Sequence, residues 1–200
     1  MSTTQKCFDI LRSFYESRTV FNEEEWELIA SMHRHKTLAK GEVFSREGEV
    51  CTQLAFLAMG QMRYYYKINN KEYTSQFFFP QSIVTDYISL TKNRPSRLTI
   101  EAMTESEVLI MDRGALQVLY EKIPNVMYRL AKNALEEVYF EFAERVTGLL
   151  LDTPEKRYIK LMEHQPRILQ NVPQYMIASY LGITPEALSR IRSRIAKENR

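Results

Sequence analysis

The stretch Gln174–Ser193, QYMIASYLGITPEALSRIRS, places arginines, hydroxyls and a carboxylate on a strict apolar frame. The helix that its second half begins carries Glu186, Ser189, Arg190, Ser193 and Arg194 on one face, with Arg192 and Lys197 beside it. A guanidinium fork can bind guanine O6 and N7, and a carboxylate can accept from cytosine N4. Hydroxyls and the remaining cations suit phosphate oxygens. On this chemistry Glu186, Ser189 and Arg190 are the expected base-reading residues. Thr184, Arg192, Ser193, Arg194 and Lys197 are the expected phosphate contacts.

The frame that would position them is a helix-turn-helix. Counted from Gln174, Ile177 and Ala178 fall at positions 4 and 5, Leu181, Gly182 and Ile183 at 8 to 10, Leu188 at 15 and Ile191 at 18. Ala178 must be small because the second helix crosses over it. Gly182 supplies the positive φ that reverses the chain after a short helix. The apolar positions form the wedge that fixes the two helices at roughly 90–120°. Thr184 is an N-cap and Pro185 takes the first helical position, so the second helix starts where the pattern requires. The competing structural reading is an ordinary helix pair in an α-helical domain.

The rest of the 200-residue chain must carry this corner. Apolar residues make up 44% and charged residues 26%, which is the make-up of a packed protein rather than a disordered one. The longest apolar runs, Leu54–Met59 and 148–151, are far shorter than a membrane span, and no secretory signal is visible at the N-terminus. A cytoplasmic protein with no membrane partner is expected. The net charge of +2 divides unevenly: residues 1–150 hold 18 Lys+Arg against 20 Asp+Glu, whereas residues 151–200 hold 9 against 5. An acidic body with a basic tail, running from Arg192 to Arg200, suggests a polyanion for the tail.

Periodicity divides the body. Residues 5–32 read as helical, with Asn22 capping a second helix whose first turn is Glu23, Glu24 and Glu25. From His35 to Asp112 short β-rich runs alternate with turn signals. Strands are predicted at 36–39, 43–44, 52–59, 61–68, 71–79, 82–85, 97–103 and 106–112, with Asn69-Asn70 as a tight hairpin turn. So many short strands suggest an antiparallel barrel or jelly roll. Asp112 should cap a short helix ending before Pro124. A long helix should follow from Asn125 to about Leu151. Met127, Leu130, Ala134, Val138, Phe142, Arg145 and Leu149 recur along it in three- and four-residue steps. That stripe must bury itself against the barrel or against the same helix of a second copy; the second copy is the favoured reading, with Met127, Leu130, Ala134, Val138 and Phe142 in the seam. Residues 154–164 read as a helix and 166–171 as an extended link. The expected organisation is a sensor domain over 1–124, a dimerisation helix and hinge over 125–152, and a DNA-binding domain over 153–200.

Little suggests catalysis. No nucleophile–base pairing, no G-x-S-x-G, no glycine-rich phosphate loop and no metal spacing is present, so an enzyme is not expected. The two cysteines, Cys7 and Cys51, stand 44 residues apart and cannot supply a four-thiolate cluster. His33, His35 and His164 show no metal spacing and read as surface or capping histidines.

The chain as a whole resembles the Crp/Fnr family of bacterial transcription regulators over about residues 20–200. The resemblance rests on Lys40-Gly41-Glu42-Val43-Phe44…Glu47-Gly48-Glu49 and on Gly182 through Ile191. It implies an α+β fold: an N-terminal antiparallel jelly roll of the cyclic-nucleotide-binding type with flanking helices, a long dimer helix and a C-terminal winged helix-turn-helix. It also implies double-stranded DNA with a near-palindromic site and a second copy of the chain as partners, and allows RNA polymerase as a further one. Glu186 and Arg190 fall on the family's usual base-reading positions, whereas Pro185 replaces an arginine that some members use there. The sequence stops at Arg200, soon after the second helix, where family members often continue into a wing, so fewer phosphate contacts are expected.

Family members that bind cyclic nucleotides use a phosphate cassette of the form F-G-E…R-S/T-A. Here Thr85 stands for the glycine, Asp86 for the glutamate, Ser96 for the arginine and Leu98 for the alanine, while Arg97 comes one residue late. A one-residue offset in a strand turns a side chain to the other face. Phe142 falls where the family offers a hydroxyl to the purine. The pocket formed by Thr85, Asp86, Ser96, Arg97 and Phe142 therefore reads as degenerate. No cofactor is expected: an ordinary cyclic nucleotide is disfavoured, and another small effector or an empty structural barrel remain open. A ligand-sensing module acting through protein contacts is the alternative function; it fits the barrel equally but fits Arg190, Arg192 and Arg194 poorly.

Overall fold

The structure, a computed structural model, describes residues 1–198. They pack as two compact units: residues 1–66 with 77–137, and residues 67–76 with Val138 onward.

The first unit opens with α1 (Thr3–Glu16) and α2 (Glu23–Ser31). Ser2 caps α1 by accepting from the Gln5 N–H at 3.2 Å. Asn22 and Glu25 form a capping box on α2, each side chain accepting from the other's backbone N–H. Eight strands follow: β1 (Arg34–Leu38), β2 (Val43–Ser45), β3 (Gln53–Met59), β4 (Met62–Ile68), β5 (Lys71–Phe78), β6 (Ser82–Val84), β7 (Thr99–Ala102) and β8 (Ser106–Asp112). They form two four-stranded sheets, ordered β1-β8-β3-β6 and β2-β7-β4-β5. Between β6 and β7 lies α3 (Tyr87–Lys92), and after β8 come α4 (Arg113–Lys122) and the long α5 (Pro124–Leu151). The result is an antiparallel jelly roll flanked by helices, as expected. Asn69 and Asn70 both take positive φ at the β4–β5 turn (49° and 61°). Gly60 is obligatory between β3 and β4, since a Cβ there would stand 2.3 Å from Ser106 Oγ and 2.6 Å from the Glu105 carbonyl.

The two sheets enclose one core of Leu38, Ala55, Leu57, Met62, Phe78, Val84, Leu98, Ile100, Ala102, Val108 and Ile110. A second core covers the outer face of β3 and β8, where Phe56, Ala58, Leu109 and Met111 meet Leu11, Phe14, Ile29, Leu119 and the start of α5. Both faces of β3 are therefore dry, which is why Leu54–Met59 is a continuous apolar run instead of an alternating one. Sheet β2-β7-β4-β5 also holds Arg63, 4% exposed, paired with Glu101 across the β4–β7 ladder at 2.7 Å.

Several local expectations are corrected. α3 was not foreseen; it is a short helix capped by Asp86, which accepts from the Ser89 N–H at 3.0 Å. Asp112 precedes α4 but does not cap it; its carboxylate instead accepts from Gln53 Nε2 at 2.6 Å. Residues 166–171 are not an extended link but a helix, α7 (Pro166–Asn171), started by Pro166 and anchored by buried Ile168. The α5 stripe does not serve one surface: Met127 and Leu130 are 5% and 7% exposed in the second core of their own unit, so they cannot lie in a seam with another copy. Ala134 is half-buried, while Val138 and Phe142 are 54% and 63% exposed.

The second unit contains the remainder of α5, α6 (Pro154–His164), α7, α8 (Gln174–Leu181) and α9 (Pro185–Glu198), together with the tip of the β4–β5 hairpin. Among the described residues beyond Leu151 every element is helical. Thr153 caps α6 by accepting from the Lys156 N–H at 3.2 Å. No helix among the described residues is long and apolar enough to cross a membrane.

Candidate nucleic-acid interface

The corner between α8 and α9 is built from the residues that its sequence marks. Met176, Ile177, Ala178 and Leu181 of α8 are buried against Leu188 and Ile191 of α9. Ala178 is completely enclosed, so a longer side chain would push the helices apart. Gly182 ends α8 at φ 69°, ψ 32°. Its N–H reaches the Ser179 carbonyl and the Ile183 N–H reaches that of Ala178, each at 3.0 Å, which is a Schellman termination. The nearest atom to a Cβ at Gly182 would be Leu149 Cδ2 at 3.5 Å, so glycine is required here by backbone conformation and not by space. Thr184 then caps α9, its hydroxyl accepting from the Ala187 N–H at 3.2 Å.

With Leu188 and Ile191 turned inward, the opposite face of α9 looks to solvent. Thr184, Glu186, Ser189, Arg190, Arg192, Ser193, Arg194 and Lys197 are all exposed, so the helix presents every residue expected to touch bases or phosphates. Arg200, the last cation of the basic tail, lies outside the described residues. Besides Thr184, three members of the set already have internal work. Arg194 is ion-paired to Glu155 of α6 at 3.1 Å, and Ser193 donates to the Ser189 carbonyl at 3.0 Å. The Glu186 carboxylate accepts from its own N–H and from the Thr184 hydroxyl, and with Arg190 nearby it is held below the usual carboxylate range.

Two arginines that the motif does not contain fix this corner from outside. Arg145 of α5 donates to the Tyr180 carbonyl at 2.9 Å and to the Ser75 carbonyl, with its guanidinium 4.2 Å from the Tyr180 ring centroid. Arg157 of α6 donates to the Leu181 carbonyl at 3.1 Å and to the Asp152 carbonyl at 2.7 Å. Cations at these last carbonyls complement the C-terminal end of α8. On the same helix, the Ser179 hydroxyl accepts from the Thr74 N–H at 2.9 Å and lies 3.2 Å from the Glu72 carbonyl. Arg145 breaks the apolar stripe of α5, and that interruption was the available sequence signal for its role.

The residues expected in the ligand pocket are drawn from both units. Thr85, Asp86, Ser96 and Arg97 belong to the first unit and Phe142 to the second, where its ring is 63% exposed. Asp86 is buried, and Ser96 beside it is 4% exposed. The Ser96 hydroxyl lies 2.7 Å from the Asp86 carboxylate and accepts from the Leu98 N–H at 3.1 Å. The Thr85 hydroxyl donates to the Gln53 carbonyl at 3.0 Å. Arg97 is exposed, whereas Ser96 is buried. Cys51 is buried and donates to the Gln53 carbonyl at 3.2 Å.

The histidines differ from one another. His164 is exposed and bonds the Lys160 carbonyl within α6. His33 is 7% exposed and bonds the Ile29 carbonyl at 2.8 Å, closing α2 from a buried position. His35 is neither on the surface nor a cap: its side chain is 18% exposed and its Nε2 lies 2.6 Å from Glu107.

Residues 35–122 match the cyclic nucleotide-binding domain family. No curated protein matches the chain in sequence. Among solved structures, the chain is similar to CLP, described as a c-di-GMP-responsive global regulator of Xanthomonas campestris, with a TM-score of 0.71 at 12% identity over 89% of this chain and 93% of that one. It is also similar to FixK2 from Bradyrhizobium japonicum, with a TM-score of 0.68 at 18% identity over 84% and 86% of the two chains. A regulator from Eubacterium rectale assigned to the Crp/Fnr family gives a TM-score of 0.67 at 16% identity over 89% and 85%.

Proposed function

We propose that this chain, which carries the fold of the Crp/Fnr regulators, is a cytoplasmic homodimer that binds DNA sequence-specifically and regulates transcription. The observation that carries the reading is the division of α9: Leu188 and Ile191 are buried, while Glu186, Ser189 and Arg190 stand outward beside Arg192, Arg194 and Lys197. A helix pair with a merely structural role has no need of that face. Two such helices in a symmetric pair would enter successive major grooves about 34–36 Å apart, so the site is a near-palindrome. The exposed apolar residues of α5, Val138, Phe142 and Leu149 among them, support a second copy as the partner of that segment.

The barrel is read as a sensor whose cyclic-nucleotide cassette is degenerate. Ser96 replaces the arginine that would neutralise a cyclic phosphate, and its hydroxyl is engaged with the Asp86 carboxylate at 2.7 Å. Selection of duplexes from a random pool tests the whole reading. A palindromic consensus bound more weakly as salt rises supports it. Recovery of no consensus, or binding indifferent to salt, overturns it.

A further inference from the structure

Three potential metal ligands from distant parts of the sequence converge in the first unit. The Cys7 sulfur of α1, a ring nitrogen of His35 on β1 and a carboxylate oxygen of Glu107 on β8 lie within 4.8 Å of one another. Cys7 is fully buried, and the His35 and Glu107 side chains are 18% and 15% exposed. The surrounding hydrogen bonds hold the two polar ligands in place. The Thr4 hydroxyl meets His35 Nδ1 at 3.0 Å, leaving Nε2 to face Glu107 at 2.6 Å. The Thr37 hydroxyl donates to the same carboxylate at 2.9 Å.

We propose that Cys7, His35 and Glu107 form a binding site for one transition-metal dication of the zinc class, closed by solvent as the fourth ligand. Thiolate, imidazole and carboxylate together suit that class, whereas magnesium or calcium would call for an all-oxygen set. Zinc bond lengths of about 2.0–2.3 Å require neighbouring donors at roughly 3.2–3.6 Å. To admit the ion, the His35–Glu107 pair must part by several tenths of an ångström and the wider separations within the 4.8 Å cluster must close. On binding, the ion replaces the thiol proton of Cys7, and His35 coordinates as the neutral imidazole through Nε2 with its one N–H on Nδ1, donated to the Thr4 hydroxyl. The hydroxyl on Nδ1 is the outer contact that fixes a metal-bound imidazole. Burial, and then the Glu107 carboxylate, push the free Cys7 thiol up, with Lys6 opposing; a bound dication reverses that balance.

A nucleophilic role for Cys7 fits less well. A cysteine nucleophile needs a histidine nitrogen turned to its sulfur. Here Nδ1 is taken by Thr4 and Nε2 by Glu107.

The test is a Co²⁺ titration of the chelator-treated full chain, read by the thiolate-to-cobalt charge-transfer band in the near ultraviolet. One equivalent of Co²⁺ should develop the band, and Zn²⁺ should abolish it. Cys7→Ser should lose it and Cys51→Ser should keep it. Thr4→Val, at an exposed position, should weaken binding about 10-fold without disturbing the fold. Zn²⁺ should also raise the melting temperature of the native chain and leave that of His35→Asn unchanged. Absence of a band in the native protein, its survival in Cys7→Ser, or its loss in Cys51→Ser overturns the proposal.

Discussion

The Ser96 hydroxyl and the Asp86 carboxylate lie 2.7 Å apart, both buried in the loop that leads from β6 through α3 to β7. Asp86 takes the Ser89 N–H as well, so the segment satisfies its own polar groups and starts a helix with them. Asp86→Ala should therefore cost about 1–3 kcal/mol by removing the carboxylate that accepts from a buried hydroxyl and caps a helix N–H. Chemical denaturation measures the loss. Calorimetric titration of the native protein with cyclic AMP should show no heat of binding above dilution.

Arg190 and Arg194 should fail differently. Arg190→Ala should remove about 1–3 kcal/mol of discrimination at one base pair per half-site. Arg194→Ala should weaken all sequences alike and lower the salt slope by about 1. Because Glu155 competes for Arg194, Glu155→Gln should tighten binding by at most about fivefold, the limit set by an exposed ion pair. Binding isotherms on the selected site and on single-base variants, at several salt concentrations, separate these effects.

The two halves of the α5 stripe should respond oppositely to substitution. Met127→Ala opens a cavity in the core of the first unit and should cost about 2–5 kcal/mol. Phe142→Glu, on an exposed ring, should leave the melting temperature of the first unit nearly unchanged and shift sedimentation from dimer to monomer. A dimer that persists in Phe142→Glu places the seam elsewhere.

His33 should make stability depend on pH above the carboxylate range. Burial lowers its pKa from the ordinary 6.5, the Ile29 carbonyl opposing. The unfolded chain then binds a proton more readily than the native one as pH falls below about 6.5. The contribution of His33 is thus complete above that value and is lost toward the lower folded pKa. Melting temperature measured from neutral pH downward should fall in that window, and His33→Gln should flatten the fall.

Strands and long helices were legible because their signals are local. Asn69-Asn70 marked the hairpin, Asn22 the start of α2, and Gly182 with Thr184 the α8–α9 corner. α3 and α7, at six residues each, are too short for periodicity to declare, and caps and proline decide them. The stripe of α5 was visible, but apolar spacing cannot say which surface covers each turn. The grouping of Cys7, His35 and Glu107 was beyond sequence spacing, because α1, β1 and β8 bring together residues 28 and 72 positions apart. Arg145 and Arg157 likewise act on carbonyls of a later helix, and carbonyls leave no trace in a side-chain pattern.

The double enclosure of β3 has a consequence for how its ladder finds the correct alignment. In a strand with one wet face, slipping by a residue is forbidden by polarity, since charged groups would be driven inward. Here Ala55 and Leu57 on one side and Phe56 and Ala58 on the other are all apolar, so polarity is indifferent to a slip. Bulk must choose instead. Phe56 has its place beside the Phe14 ring, 5.0 Å between centroids, and a shift of one residue would force it into the space that Ala55 fills. Overpacking of that kind costs about 1–3 kcal/mol. Alignment of the central strand is therefore written in side-chain volume, and Ala55, as small as any residue there, is among its strictest instructions.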